Sequence, residues 1–346
     1  MRILLGMSGG LDSTYAAMKL CDMGHTVEGA LLLMHPYTDI EAAKESADAL
    51  GIPLHIIDCR EKFEKIVVPH FMDEYLSART PNPCIVCNSE VKFRVLYDYA
   101  MEKGFDMIAT GHYADVIKVT DGAEERYAVS RSKDSTKDQT YVLWRLPQDI
   151  LSRLVFPLSD SCKKEVREDA QNRGLAAADR EESQEICFIP SGDYAGYIEE
   201  RRGVSLPGDF VDTDGNVLGR HNGIIRYTVG QRKGLGIALG ARAFVTEINP
   251  ETNKITLAFE AKSASEIAVK NVVFSGMKQP SEPYETELFV KVRYLAPPIS
   301  AKVTFYPDLT ASVSLCTPVK SVTPGQSAVF YDGNRVVAGG FISKSK

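Results

Sequence analysis

Along the first 110 residues, short apolar runs alternate with longer segments whose apolar positions recur at helical spacing. The runs at 2–5, 27–33, 54–57 and 107–110 predict strands. The segments at 13–23, 40–50, 61–76 and 87–103 predict helices, the second closing at Gly51 and the fourth at Gly104. Strands and helices in this order predict a parallel α/β sheet, which binds ligands at the carboxyl ends of its strands. Period-two alternation over 116–129 around Asp121-Gly122 predicts a hairpin, and helices are expected at 137–146 and 163–173. From Leu206 the pattern changes to short alternating strands, clearest at 287–294 and 301–306, with turns at Asp214-Gly215, 250–253 and Asp332-Gly333. The expected organisation is an α/β unit over residues 1–195, a small β-rich unit over 196–265 and a β-barrel-like unit over 266–346.

Composition narrows the class. The 346 residues, 44% hydrophobic and 25% charged, suffice for more than one core. The longest apolar run, at 30–34, is too short to span a bilayer, and the first residues lack the apolar stretch and cleavage site of a leader. A cytoplasmic protein with no membrane partner is therefore expected. A net charge of -6 excludes an all-basic surface, so nucleic acid would have to meet local patches. Candidates are Lys92-Phe93-Arg94, residues 131–137, Lys163-Lys164, Arg201-Arg202 and Arg232-Lys233, each of which is otherwise an ordinary solvated face.

The run Gly6-Met7-Ser8-Gly9-Gly10-Leu11-Asp12-Ser13 lies between the first strand and the first helix. The paired glycines permit a turn that a Cβ would obstruct, and the N–H groups of the helix's first turn then face the loop. No Gly-Lys-Ser/Thr follows, so this is not the loop of a γ-phosphoryl transferase. It suits an enzyme that holds departing pyrophosphate while AMP passes to an acceptor oxygen. Gly111-His112, after the fourth strand, is expected to share the same ligand.

Seven cysteines, an odd number, point to free thiols or metal chemistry and not to a disulfide framework. Cys21, Cys59, Cys162 and Cys316 fall where structural cysteines are expected. Cys84 and Cys87 differ, because Pro81 and Pro83 stiffen an extended segment that delivers them to a helix start. There the dipole should stabilise the thiolate and lower its pKa, as suits a nucleophile, a persulfide carrier or a metal ligand. Cys187 follows a polar loop on a short apolar strand within 182–190. A redox pair, a structural zinc site completed by His112, Cys59 or Cys162, and a core cysteine at 187 all remain compatible with the spacing.

The motifs GMSGGLDS, TPNPCIVCN, ATGHYA, KDQTYVL, SQEICFIPSGDY, YTVGQRKGLGI, VRYLAPP and GQSAVFYDG occur in this order along the whole chain. In that series the chain resembles the tRNA-specific 2-thiouridylases, PP-loop ATP pyrophosphatases that thiolate the wobble uridine of certain anticodons. The resemblance implies that ATP binds at Gly6, Met7, Ser8, Gly9, Gly10, Leu11, Asp12, Ser13, Leu32 and Gly111, with Mg²⁺ near Asp12. It implies Cys87 as nucleophile and Cys187 as the persulfide-bearing partner. Asn82, Pro83 and Cys84 would flank the target base, and His112, Lys137, Asp138, Gln139, Arg293, Tyr294 and Gln326 would contact tRNA. Arg226, Tyr227, Gln231, Arg232 and Lys233 of the β-rich half offer further contacts.

The family most often carries aspartate where this chain has Cys84, which makes Cys84 a third candidate for the chemistry. Cys84, Cys87 and Cys187 could hold three irons of a 4Fe-4S cluster and leave the fourth open for hydrosulfide. Two routes follow: a Cys187 persulfide released by Cys87, ending in a disulfide, or attack by cluster-bound sulfide. The implied partners are the anticodon stem-loop of wobble-uridine tRNAs and a sulfur donor, either a cysteine desulfurase, a relay protein or free sulfide. An ammonia-using adenylating enzyme of the amidotransferase type, and a non-catalytic RNA-binding protein that senses redox state, are the rival classes.

Overall fold

The computed structural model of the chain describes residues 1–121, 124–180 and 186–343. Strands β1 (Arg2–Gly6), β2 (Thr26–Leu33), β3 (Leu54–Asp58), β4 (Met107–Thr110) and β7 (Leu154–Val155) form a parallel sheet in the order β3-β2-β1-β4-β7. Between β4 and β7 the chain makes the hairpin β5 (Asp115–Asp121) and β6 (Glu124–Ser130), whose turn at 122–123 lies outside the described residues. The helices are α1 (Leu11–Asp22), α2 (Ile40–Leu50), α3 (Arg60–Leu76), α4 (Pro83–Val86), α5 (Phe93–Glu102), α6 (Gln148–Leu151), α7 (Lys163–Asn172) and α8 (Tyr194–Arg202). Because β1 lies between β2 and β4, the loops leaving β1 and β4 diverge over one crevice at the carboxyl edge.

Two predicted helices are altered. The helix expected at 87–103 begins earlier, at Pro83, with the Asn82 side chain capping the Cys84 N–H at 3.1 Å. It then widens into a π turn at Cys87–Lys92 before continuing as α5. Such turns recur at functional sites. The helix expected at 137–146 is reduced to one 3-10 turn at Thr140–Val142. Here the Asp134 carboxylate accepts from the Thr136 N–H at 3.0 Å and Asp138 from the Thr140 N–H at 3.0 Å, bonds that compete with helix formation. Tyr141, Leu143 and Trp144 are all buried, so no solvent face remains for a surface helix.

The middle unit is a sheet of β8 (Gly208–Val211), β9 (Val217–His221), β10 (Phe244–Asn249) and β11 (Lys254–Ala258) in the order β10-β11-β8-β9. The last unit comprises β12 (Ser263–Phe274), β13 (Tyr284–Lys291), β14 (Ile299–Phe305), β15 (Ala311–Lys320), β16 (Ser327–Asp332) and β17 (Arg335–Ile342). They run β12-β15-β14-β13-β16-β17, and β12 also pairs with β17, so six strands close into a barrel. Closure removes the exposed edges. The predicted strand at 287–294 ends at Lys291, which leaves Arg293 and Tyr294 in the following connection. Pro297 and Pro298 in that connection have no N–H to give to a ladder.

The barrel is fastened to the first unit by aromatic side chains. Fully buried Trp144 donates its indole N–H to Ser327 Oγ at 3.1 Å and meets the Phe341 ring edge-on at 5.5 Å. Tyr141 donates to the Ser327 carbonyl at 3.0 Å, and strand β6 continues the barrel sheet by pairing Ser130 with Arg335. The Trp144→Ala variant is expected to lose about 3–5 kcal/mol, the usual cost of a large cavity. Denaturant unfolding followed by circular dichroism checks this, and a loss below about 1 kcal/mol contradicts the fastening role.

Candidate active site

The Gly-rich loop leaves β1 at its carboxyl end. Met7 N–H donates to the Ala30 carbonyl at 2.8 Å, which holds the loop on β2, and Ser13 Oγ bridges the turn by donating to the Gly10 carbonyl at 3.0 Å. Gly10 caps α1 with no side-chain hydrogen bond, so the helix's first N–H groups are available to an anion. Gly9 has φ +80°, and a Cβ there would lie 2.4 Å from the Ala42 carbonyl carbon. A Cβ on Gly111 would lie 2.7 Å from the backbone of Asp12. Both approaches are therefore reserved for glycine. Leu32, buried at the end of β2, lies on the same edge.

Two residues that the motif reading did not assign to this site complete the loop. Arg180 donates through its guanidinium to the Gly9 carbonyl, to the Ala42 carbonyl at 3.0 Å and to Glu45 at 2.6 Å, tying the loop to α2. Lys163, expected as part of a basic surface patch, is instead buried. Its ammonium contacts both Asp12 carboxylate oxygens at 2.7 and 2.8 Å, and Tyr113 donates its hydroxyl to the same carboxylate at 3.0 Å. Asp12, expected to lie near Mg²⁺, is thus already paired with a cation. A residue 151 positions away carries no sequence signal of this pairing.

The three cysteines lie close enough for negative charge on Cys84 or Cys187 to raise the pKa of Cys87. Cys87 is buried at the start of the π turn, with its thiol 3.7 Å from Met34 Sδ. Cys84 and Cys187 are exposed. The predicted strand at Cys187 is a turn, closed by Ile189 N–H donating to the Ile186 carbonyl at 2.8 Å. Phe188, packed on Phe63 at 5.2 Å and Phe71 at 5.4 Å, anchors that turn. The polar loop expected before it occupies 182–185, outside the described residues.

The expected lowering of the thiol pKa values is reversed. Desolvation pushes Cys87 up to about 12 and also raises Cys84 and Cys187, while the Lys92 ammonium favours the thiolate at all three. Removal from water outweighs the helix start here. Among the described residues, no group of three or more Cys, His, Asp or Glu side chains is arranged to hold a metal ion. The ligand set expected from Cys84, Cys87 and Cys187, for iron or for zinc, is not formed. Cys87 is buried against Met34, whereas Cys84 and Cys187 are exposed.

The residues expected to meet tRNA divide. His112 lies tilted against Phe93 and edge-on to Phe156, with Nδ1 2.8 Å from Thr110 Oγ1, and desolvation holds its pKa well below the usual value, so it is neutral. Asp138, with its side chain only 7% exposed, faces Arg131 and Lys291 internally, and Gln139 accepts the Tyr113 N–H at 2.8 Å. These two hold neighbouring parts of the chain in place. Arg226 pairs with Glu199, and Tyr227 is buried against Phe210. Lys137 is part-exposed, whereas Arg232, Lys233, Arg242 and Arg293 are exposed.

Gln326 donates to the Thr80 carbonyl at 2.8 Å, and Thr80 N–H donates to the Pro324 carbonyl at 2.9 Å. The barrel therefore grips the segment that carries Asn82, Pro83 and Cys84. Thr80, Thr228, Gly230, Gln231, Arg293 and Gln326 line a cleft of about 340 Å³ at the junction of the three units. Tyr294 reaches near enough for negative charge on Cys84 to raise its pKa, after the larger effects of desolvation and Asp138.

Three family models match the chain in succession. They are a tRNA methyl transferase HUP domain over residues 1–191, a tRNA methyl transferase PRC-barrel domain over 195–258 and an aminomethyltransferase beta-barrel domain over 264–342. The tRNA-specific 2-thiouridylase MnmA of Acetivibrio thermocellus is 42% identical over 358 aligned positions, covering 99% of each chain. That of Lachnoclostridium phytofermentans is 41% identical over 362 positions, again 99% of each. The Clostridioides difficile protein is 40% identical over 359 positions, covering 99% of this chain and 98% of that one. With a first domain that matches over more than half of its length and relatives alike from end to end, the chain belongs to the tRNA-specific 2-thiouridylase family.

Proposed function

We propose that the protein adenylates the C2 oxygen of the wobble uridine in tRNA and replaces it with sulfur carried by cysteine, giving 2-thiouridine. The carrying observation is the placement of an anion-binding loop and a three-thiol cluster at the carboxyl edge of one parallel sheet. The descriptions of the first two family models name a methyl transferase. The thiol cluster and the end-to-end relatives favour sulfur transfer.

The uridine oxygen is a poor leaving group until it carries AMP. The N–H groups of the first turn of α1 receive the pyrophosphate that departs from ATP, and Lys163 adds a cation beside the loop at Asp12. Exposed Cys187 attacks the outer sulfur of a donor protein's persulfide and takes it up as its own persulfide, while the donor's thiol leaves with the electron pair. Cys87 thiolate then attacks Cys187 Sγ. The bond between the two persulfide sulfurs breaks, hydrosulfide leaves with the electron pair, and a Cys87–Cys187 disulfide forms. Hydrosulfide adds at C2 and AMP departs. A dithiol reductant restores the two thiols.

Free thiols at all seven cysteines suit a reducing cytoplasm, and among the described residues no helix is long and apolar enough to cross a membrane. The substrate's phosphates would meet exposed Arg293, which lines the cleft, and exposed Arg232, Lys233 and Arg242 of the middle unit. A splayed anticodon base can enter beside Asn82, Pro83 and Cys84.

The test supplies ATP, a protein persulfide as sulfur donor, a dithiol reductant and an unmodified wobble-uridine tRNA, and measures AMP, pyrophosphate and 2-thiouridine together. Equal yields of the three are expected. ATP–pyrophosphate exchange without tRNA, coupled to ammonia use, would instead place the chain among the amidotransferase-type enzymes. tRNA affinity should fall with salt, with a log–log slope of about -3 for four neutralised phosphates. A flat salt dependence contradicts docking on these arginines and lysines.

A further inference from the structure

We propose that Cys84 is a resolving thiol. It takes the place of Cys187 in the disulfide that ends each turnover, so that the chain finishes with Cys84 paired to Cys87 and Cys187 free to be loaded again. This rests on the sulfur-transfer reading above and concerns the step after it.

Three observations carry the proposal. Cys84 and Cys87 lie on one helical turn, with Cys87 N–H donating to the Cys84 carbonyl, so their side chains share a face. Cys87 is 7% exposed and lies against Met34, out of reach of a bulky reductant, whereas Cys84 is exposed. Cys187 sits on a separate turn anchored by Phe188, so its disulfide with Cys87 spans two independently held segments. A thiol fixed on the same turn as its target has the advantage of high effective concentration over any thiol from solution.

In the step itself, Cys84 thiolate attacks Cys87 Sγ. The Cys84–Cys87 bond forms, the Cys87–Cys187 bond breaks, and Cys187 leaves with the electron pair and takes up a proton. An external dithiol then delivers two electrons and two protons to the Cys84–Cys87 pair and is itself oxidised to a disulfide. The exposed sulfur of Cys84 is where that reductant attacks.

Mild oxidation of the full-length protein with diamide, without ATP or tRNA, followed by acid quench, alkylation and non-reducing peptide mapping, tests the exchange directly. The wild type is expected to end with Cys84 paired to Cys87 and Cys187 alkylated. The Cys84→Ser variant should end with Cys87 paired to Cys187. In thiolation assays with glutathione as sole reductant, the ratio of burst to steady-state rate should rise about tenfold in Cys84→Ser and return toward wild type with dithiothreitol.

A wild type that ends with Cys87 paired to Cys187 and Cys84 alkylated overturns the proposal. So does iron held stoichiometrically by the wild type and lost from Cys84→Ser, which would make Cys84 a ligand. Absence of 2-thiouridine from the wild type, with the disulfide map as expected, strikes at the function and not at the exchange.

Discussion

Replacing Cys87 with serine is expected to reduce 2-thiouridine formation by at least about a thousandfold, because a hydroxyl can neither attack a persulfide sulfur nor enter a disulfide. Pyrophosphate release from ATP should persist in the variant, since adenylation precedes sulfur transfer and the nucleotide loop belongs to β1 and α1. The pH profile of the wild type adds a second reading of the same residue. With the Cys87 thiol pushed up to about 12 by desolvation, the reactive thiolate is the minor form at neutral pH. The rate of sulfur release should therefore climb roughly tenfold per pH unit between pH 7 and 9 until another step limits it. Quench-flow with isotopically labelled persulfide measures both effects. Serine activity above about a tenth of wild type would remove Cys87 from the chemistry. A flat profile would mean that bound tRNA and Lys92 lower the pKa before reaction.

The second large effect is expected at Gly9. Alanine there must hold φ near +80° and place its Cβ within 2.6 Å of three backbone atoms of Ala42 and Ala43. The conformation alone costs of order 1–3 kcal/mol, and the neighbour is backbone of α2, which cannot rotate away. Either the loop or α2 must shift, and Arg180, which grips Gly9 and Ala42 together, resists the separation. ATP affinity should fall by about a hundredfold or more, with a lower melting temperature. Gly24→Ala is the control, because φ there is +82° but no atom lies within 4 Å of the added Cβ. It should cost only the backbone strain and leave ATP binding unchanged. Equal ATP affinity in Gly9→Ala and wild type would mean that the loop is not the nucleotide site.

The folded chain also gives some motif residues an internal role. KDQ stands in a motif shared with the family, yet Asp138 turns inward to Arg131 and Lys291, and Gln139 holds the Tyr113 backbone. Their effect on tRNA passes through the placement of the crevice wall, so alanine at either position should disturb stability as well as binding. Lys163 presents the opposite case: a cation read as surface charge is buried at the nucleotide loop.

The sequence by itself determined the parallel sheet and its carboxyl-edge loops, the anion-binding turn and the β character of the second half. These rest on short-range causes: period-two and helical spacing, glycines at positive φ, and caps such as Asp39 on Ala42 N–H at 2.9 Å. Only the tertiary structure decided the rest. Lys163 met Asp12, Trp144 met Ser327, and Gln326 met Thr80 across 246 positions, pairings that local propensity does not encode. The thiols were likewise decided by folding. A helix start lowers a thiol's pKa through a dipole visible in the local sequence. Desolvation depends on what packs around the sulfur, and at Cys87 that packing comes from residues far apart in the chain, with desolvation the larger effect.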